Sequence, residues 1–117
     1  MVARPGDSKN MASCIEACQA CLVACERCID AHLDEGGMAE CTRLCRDGAY
    51  LCALCTSLMA RLSRFHPDAC ALCATVCRAC AEECQRHDED HCRECAQACV
   101  ACAEECEQMV AHAEPKT

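Results

Sequence analysis

Apolar and polar positions alternate along this chain with a rhythm set by cysteine. In the first segment Cys14, Cys18, Cys21, Cys25 and Cys28 follow one another in steps of 4, 3, 4 and 3, with polar residues between them. The same alternation returns at Cys70, Cys73, Cys77, Cys80 and Cys84, and again at Cys92, Cys95, Cys99, Cys102 and Cys106. A second segment has Cys41, Cys45, Cys52 and Cys55, and Gly48 stands where a fifth Cys would fall. Steps of three and four are the inward seam of an amphipathic helix. The repeat therefore predicts four helices, each with one sulfur-lined stripe. Ile15, Leu22 and Ile29 flank the stripe of the first, and Leu44, Leu51, Leu58 and Phe65 that of the second, at the spacing that knits neighbouring helices together.

Breaks between the segments support the count. Gly36-Gly37 stops the first helix, and His66-Pro67-Asp68 ends the second and starts the third, because proline is tolerated in a first helical turn but not in an interior. The third break, His87-Asp88-Glu89-Asp90-His91, lacks Gly and Pro. Two features favour a turn there: Asp88 or Asp90 can cap a new helix, and the stripe resumes at Cys92 where the rhythm of Cys84 calls for position 91. A continuous helix over 68–112 would instead run about 68 Å and leave its stripe unburied in a monomer. The expected helices cover about 11–34, 38–65, 68–87 and 89–112, with flexible tails at 1–10 and 113–117. Short connections make neighbours antiparallel, so the fold expected is all-α: a single-domain, up-down-up-down four-helix bundle with a Cys-lined core.

Composition sharpens what the core is made of. Of 117 residues 19 are Cys, while there is one Tyr, one Phe and no Trp, so sulfur must occupy the interior. A secreted disulfide scaffold is disfavoured: the Cys count is odd, residues 1–13 hold no apolar run for export or membrane insertion, and there are only 4 Gly and 3 Pro. A reducing, cytoplasmic location is expected instead, where clustered Cys more often binds metal. The formal charge of −8 argues against a nucleic-acid partner.

Cysteine can act as a small hydrophobe, but a seam that rejects Leu and Val at nearly every position discards hydrophobic stabilisation without a packing benefit. Disulfides within a helix are excluded by geometry, since residues three or four apart hold their Cβ atoms ~5–6 Å apart and a good disulfide needs ~3.5–4.5 Å. Cross-helix disulfides remain geometrically possible. Among metals, structural zinc favours isolated tetrahedral sites and iron–sulfur clusters need four thiolates at a discrete centre. An unbroken thiol column suits Cu(I), which is soft, prefers thiolate and can share sulfurs along a chain of ions. Each Cu(I) balances one thiolate, so a filled column holds roughly one ion per Cys without a build-up of buried charge. The seven CxxxC pairs, Cys14/Cys18, Cys21/Cys25, Cys41/Cys45, Cys73/Cys77, Cys80/Cys84, Cys95/Cys99 and Cys102/Cys106, each place two thiols one turn apart for bridging.

Repeated CxxxC on four helices, from about Ser13 to Met109, resembles the bacterial copper storage proteins, specifically their cytosolic branch. The resemblance implies storage of many Cu(I) ions, CxxxC pairs as principal ligands, and homo-oligomers of bundles, with a tetramer favoured. Gly48 departs from the pattern and leaves a local gap in the column.

The ends of the column carry other soft donors. An antiparallel bundle brings His32, Met38, His87 and His91 to one end; His32 follows Cys28 by four residues and Met38 precedes Cys41 by three, so both extend the stripe. Imidazole and thioether bind Cu(I) more weakly than thiolate, which suits a mouth, and the resemblance points to the His32/Met38 end as the entrance. The opposite end collects Met11, Met59, His66 and Met109, with Phe65 nearby; there the Met residues serve equally well as core filler, and His112 lies toward the tail. Leu54, Leu72 and several Ala lie further round the helices as a face for self-association.

No Ser/His/Asp set, phosphate loop or His pair with a general-base Glu is present, and Glu82-Glu83 and Glu104-Glu105 read as a solvated surface, so catalysis is not expected. Copper chaperones or chelators are the partners expected beside copper, with neither nucleic acid nor membrane. An iron–sulfur protein and a zinc or heavy-metal buffer are the alternatives.

Overall fold

The computed structural model describes residues 9–111. Four α-helices follow one another: α1 (Lys9–His32), α2 (Ala39–Ala60), α3 (His66–Cys84) and α4 (Asp90–Ala111). Each helix packs on its neighbour in sequence, and α1 closes the ring against α4. The result is the antiparallel bundle expected from the four stripes, and the turn at 85–89 separates α3 from α4. Lys9 and Asn10, placed by the sequence in a flexible tail, belong to α1; the rest of that expectation, 1–8 and 113–117, lies outside the described residues.

The stripe residues behave as a core. All nineteen Cys are buried with no solvent exposure, joined by Met11, Met38, Met59, Met109 and by Ala on α2, α3 and α4. Small Ala and Cys side chains allow close packing of the helices, while Ile15, Leu22, Ile29, Leu44, Leu51 and Leu58 seal the seams from outside.

The second helix is shorter than its spacing predicts. It stops at Ala60 rather than at position 65, because Leu62 takes a left-handed conformation (φ 55°). The amide of Leu62 donates to the Met59 carbonyl at 3.0 Å and that of Ser63 to the Leu58 carbonyl at 2.9 Å, which satisfies the last carbonyls as a glycine-type helix stop does. Phe65 therefore leaves the helix, contrary to its expected place in the seam: it is 55% exposed, with the Arg64 guanidinium 4.8 Å from its ring centroid. At the other connection Gly37 supplies the positive φ (79°) that turns the chain from α1 into α2.

Candidate metal centre

The four stripes meet on one axis and form a column of thiols. All the cysteines are free. Sulfurs of different helices approach closely: Cys41 and Cys84 at 3.3 Å, Cys18 and Cys102 at 3.6 Å, Cys21 and Cys99 at 3.6 Å, Cys25 and Cys95 at 3.7 Å, Cys52 and Cys102 at 3.7 Å, and Cys14 and Cys106 at 3.7 Å. Within helices, the CxxxC pairs Cys21/Cys25, Cys73/Cys77 and Cys95/Cys99 hold their sulfurs 3.9, 3.8 and 3.9 Å apart. These separations are far longer than a disulfide bond of about 2.05 Å. They fall just short of the ~4.6 Å spanned by two metal–sulfur bonds of about 2.3 Å, the zinc–thiolate length, laid end to end.

The thiols are grouped across helices more than along them. Cys21, Cys52, Cys77 and Cys102 form a set with one member from each helix, all within 4.8 Å of one another, and so do Cys25, Cys45, Cys80 and Cys95. Cys28, Cys45, Cys84 and Cys95 make a third such set, while Cys18, Cys73, Cys102 and Cys106 draw on three helices. Cys45, Cys95 and Cys102 each belong to two sets. Cys55 and Cys70 lie lower in the same column, where the α2–α3 turn closes it. At Gly48 the column has no fourth side chain; a Cβ there would meet Cys25 Sγ at 3.5 Å.

Electrostatics follow from this crowding. Burial pushes the Cys92 thiol up to about 12. Hydrogen bonding to Cys102, ahead of Cys106, holds the Cys18 thiol above its ordinary range. Hydrogen bonding from Cys25, ahead of Cys28, holds Cys95 below it. Cys102 is lowered to about 6, chiefly by Cys106 and next by Cys18. Thiolates in the column are thus supported by S–H donors that must keep their own protons, so the column cannot ionise as a whole without a cation.

At the end formed by the α1–α2 and α3–α4 connections, Cys28, His32, His91 and Cys92 make a mixed sulfur and nitrogen group. His32 is buried; its Nε2 lies 3.3 Å from Cys28 Sγ and its Nδ1 2.7 Å from Thr42 Oγ1. His91 Nδ1 lies 3.2 Å from Cys28 Sγ and 3.6 Å from Cys92 Sγ, and the two imidazoles meet edge to face with centroids 5.2 Å apart. The opposite edge of His91 donates from Nε2 to Glu35, whose carboxylate oxygens are 3.1 and 3.2 Å away. In the neutral ring this proton on Nε2 leaves the Nδ1 lone pair aimed at the two sulfurs. Met38 is buried at the start of α2 and lines, with His32, Glu35, Gly37, Thr42 and Arg43, a surface groove of about 420 Å³. His87 is engaged elsewhere: its Nε2 is 3.0 Å from Glu83 Oε2, one turn back toward α3. Glu35 and Thr42 went unnoticed in the sequence: Thr42 is off the stripe, and Glu35, although it continues the step from His32, lies past the helix end, where a carboxylate in a Gly-containing loop carries no local sign of a His partner.

A bundle whose axis is a continuous column of reduced thiols, with imidazoles at one end, defines a soft-metal-binding protein. Comparison with known proteins gives its family. The model of the copper storage proteins matches residues 7–111, and the chain belongs to that family. It is 46% identical over 78 residues to the uncharacterised cysteine-rich protein YhjQ of Bacillus subtilis strain 168, an alignment covering 64% of this chain and 72% of YhjQ. Its fold is similar to that of the Cu(I)-bound copper storage protein BsCsp3, with 44% identity, TM-score 0.83, and coverage of 87% of this chain and 99% of that one. It is also similar to a cytosolic copper storage protein from Streptomyces lividans carrying five coppers, with 36% identity, TM-score 0.86, and coverage of 91% and 96%.

Proposed function

We propose that this protein stores Cu(I) in its thiol column, at roughly one ion per Cys, and admits the ions through the end marked by His32, Met38 and His91. The observation that carries the reading is the sharing of sulfurs: Cys45, Cys95 and Cys102 each serve two four-thiol sets. Separate tetrahedral zinc sites or iron–sulfur clusters cannot fill overlapping sets at once, whereas Cu(I) accepts two or three bridging thiolates. Charge supports the same choice. Each Cu(I) replaces one thiol proton, so loading leaves the buried column neutral, whereas Zn²⁺ in four-thiolate sites would leave net negative charge inside the bundle. Bridging runs between helices as well as along the CxxxC pairs.

At the mouth, the groove beside Met38 leads to His32, and the His91 Nδ1 lone pair faces Cys28 and Cys92. A weak thioether and imidazole route into a strong thiolate sink lets ions be passed inward by exchange of one ligand at a time. His87, held by Glu83, joins this route only by rotating off that carboxylate. The role is sequestration rather than catalysis. A cytoplasmic location is supported by the description of the Streptomyces lividans neighbour as cytosolic; among the described residues no helix is long and apolar enough to cross a membrane. Exposed Val23, Tyr50, Leu54 and Leu72 offer apolar surface for self-association, and copper chaperones or chelators are the donors expected in solution.

Anaerobic titration of the reduced protein with Cu(I) against a strong competing chelator tests the reading. Uptake of well over ten ions per chain, colourless and with ultraviolet thiolate-to-Cu(I) bands, is expected. Saturation at a few ions, tighter binding of zinc, or a brown product with visible bands would sink it.

A further inference from the structure

The end of the bundle away from His32 and His91 holds a second set of soft donors. The chain turns there from α2 to α3, which places Met59 in the last turn of one helix and His66 and Cys70 in the first turn of the next. Cys70 Sγ lies 4.0 Å from Met59 Sδ, and both side chains are fully buried. His66 precedes Cys70 by four residues on α3, which places the two on one face of the helix, a turn apart. His66 itself is partly exposed, yet its Nδ1 is buried and has no hydrogen-bond partner.

A buried ring nitrogen without a partner is uncommon and unfavourable, and it calls for a group to occupy it. With a thiol one turn along the helix and a thioether in contact with that thiol, the group that suits all three atoms is a soft monovalent cation. We propose that Cys70 Sγ, Met59 Sδ and His66 Nδ1 form a terminal Cu(I) site that closes the column at the α2–α3 turn. The inference rests on the Cu(I) storage reading and extends it to an end of the bundle where a thioether and an imidazole replace thiolates. Binding there is an exchange of one ion for one proton: the Cys70 S–H bond breaks, the proton leaves to solvent, and Cu(I) takes its place with no change of oxidation state. Met59 and His66 add no charge, so the filled site stays neutral like the rest of the column.

The decisive measurement needs no substitution. The full-length, ¹⁵N-labelled, reduced protein is titrated anaerobically with Cu(I), and the imidazole nitrogens are followed by long-range ¹H–¹⁵N correlation. His66 Nδ1 is expected to move to a metal-bound shift before saturation, while Nε2 keeps its proton. Met59→Leu, close in volume, and His66→Phe are expected to weaken one ion of the full complement by more than about a hundredfold and leave the others, a larger effect than the roughly 10–100-fold for a group outside the ligand set. A column that fills completely while His66 Nδ1 stays unmoved overturns the site but leaves storage standing. Uptake of only a few ions with Nδ1 moved keeps the site and overturns storage.

Discussion

Glu35 accepts a hydrogen bond from His91 Nε2 at 3.1 Å and thereby fixes which nitrogen of that ring faces Cys28. A carboxylate behind a ligating His orients the ring and raises its basicity, and losing such a partner typically weakens metal binding by about 10–100-fold. In Glu35→Gln the amide offers both a donor and an acceptor to the ring, so the tautomer is no longer specified. The initial rate of Cu(I) uptake from a chelator is expected to fall about tenfold, with the final number of ions unchanged. Stopped-flow loading of parent and variant checks this, and equal rates would remove Glu35 from the uptake path.

Gly48 leaves a gap that another side chain can enter. A Cβ at this position meets only Cys25 Sγ, at an ordinary 3.5 Å, and glycine inside a helix is unfavourable relative to alanine. Gly48→Ala should therefore stabilise the apoprotein by up to about 1 kcal/mol in urea unfolding. Gly48→Cys should restore the missing member of the α2 stripe and raise Cu(I) capacity by one ion per chain, read by competitive titration. A destabilised alanine variant would show that the gap is packed more tightly than the geometry indicates.

Stripping copper should leave the bundle folded. The helices are held by buried Ala and Cys and by the outer Ile and Leu seams, none of which needs an ion, unlike a zinc finger that has no core without its metal. Far-ultraviolet circular dichroism of the chelator-treated, reduced protein should retain most of its helical signal. Collapse of that signal would make copper a folding partner instead of a cargo.

Alkali should weaken the apo fold. Burial raises the Cys92 thiol from an ordinary 9.0 to about 12, so between these values the unfolded chain has lost a proton that the folded chain keeps. The unfolded state then binds fewer protons than the native state, and stability that is full below pH 9 falls as pH rises toward 12. One such thiol contributes a slope approaching about 1.4 kcal/mol per pH unit. Urea midpoints of the reduced apoprotein measured from pH 7 upward should decline above pH 9, and less so in Cys92→Ser. A rising midpoint would contradict the assignment.

The four helices and their inward faces were legible because a 3 and 4 step is a property of each segment alone. Helix ends were read less well. Gly36-Gly37 and Pro67 announced two of them, but α2 stops at Ala60 on a left-handed Leu62 that no residue preference signals. Phe65, assigned to the seam by its heptad position, lies on the surface for that reason. At the end formed by the α1–α2 connection, the burial of His32 and Met38 follows from their place on the stripe, whereas His87, grouped with them by its nearness to the α3–α4 turn, is held by Glu83.

By itself the sequence determined that cysteine would line the inside of four helices, since periodicity selects one face whatever the helix packs against. Only the tertiary structure decided which thiols become neighbours. Sets such as Cys25, Cys45, Cys80 and Cys95 depend on the relative rotation and axial register of helices that are distant in sequence. The same register brings Glu35 behind His91 and Met59 against Cys70, and these are contacts across helices and turns that no period within one segment encodes.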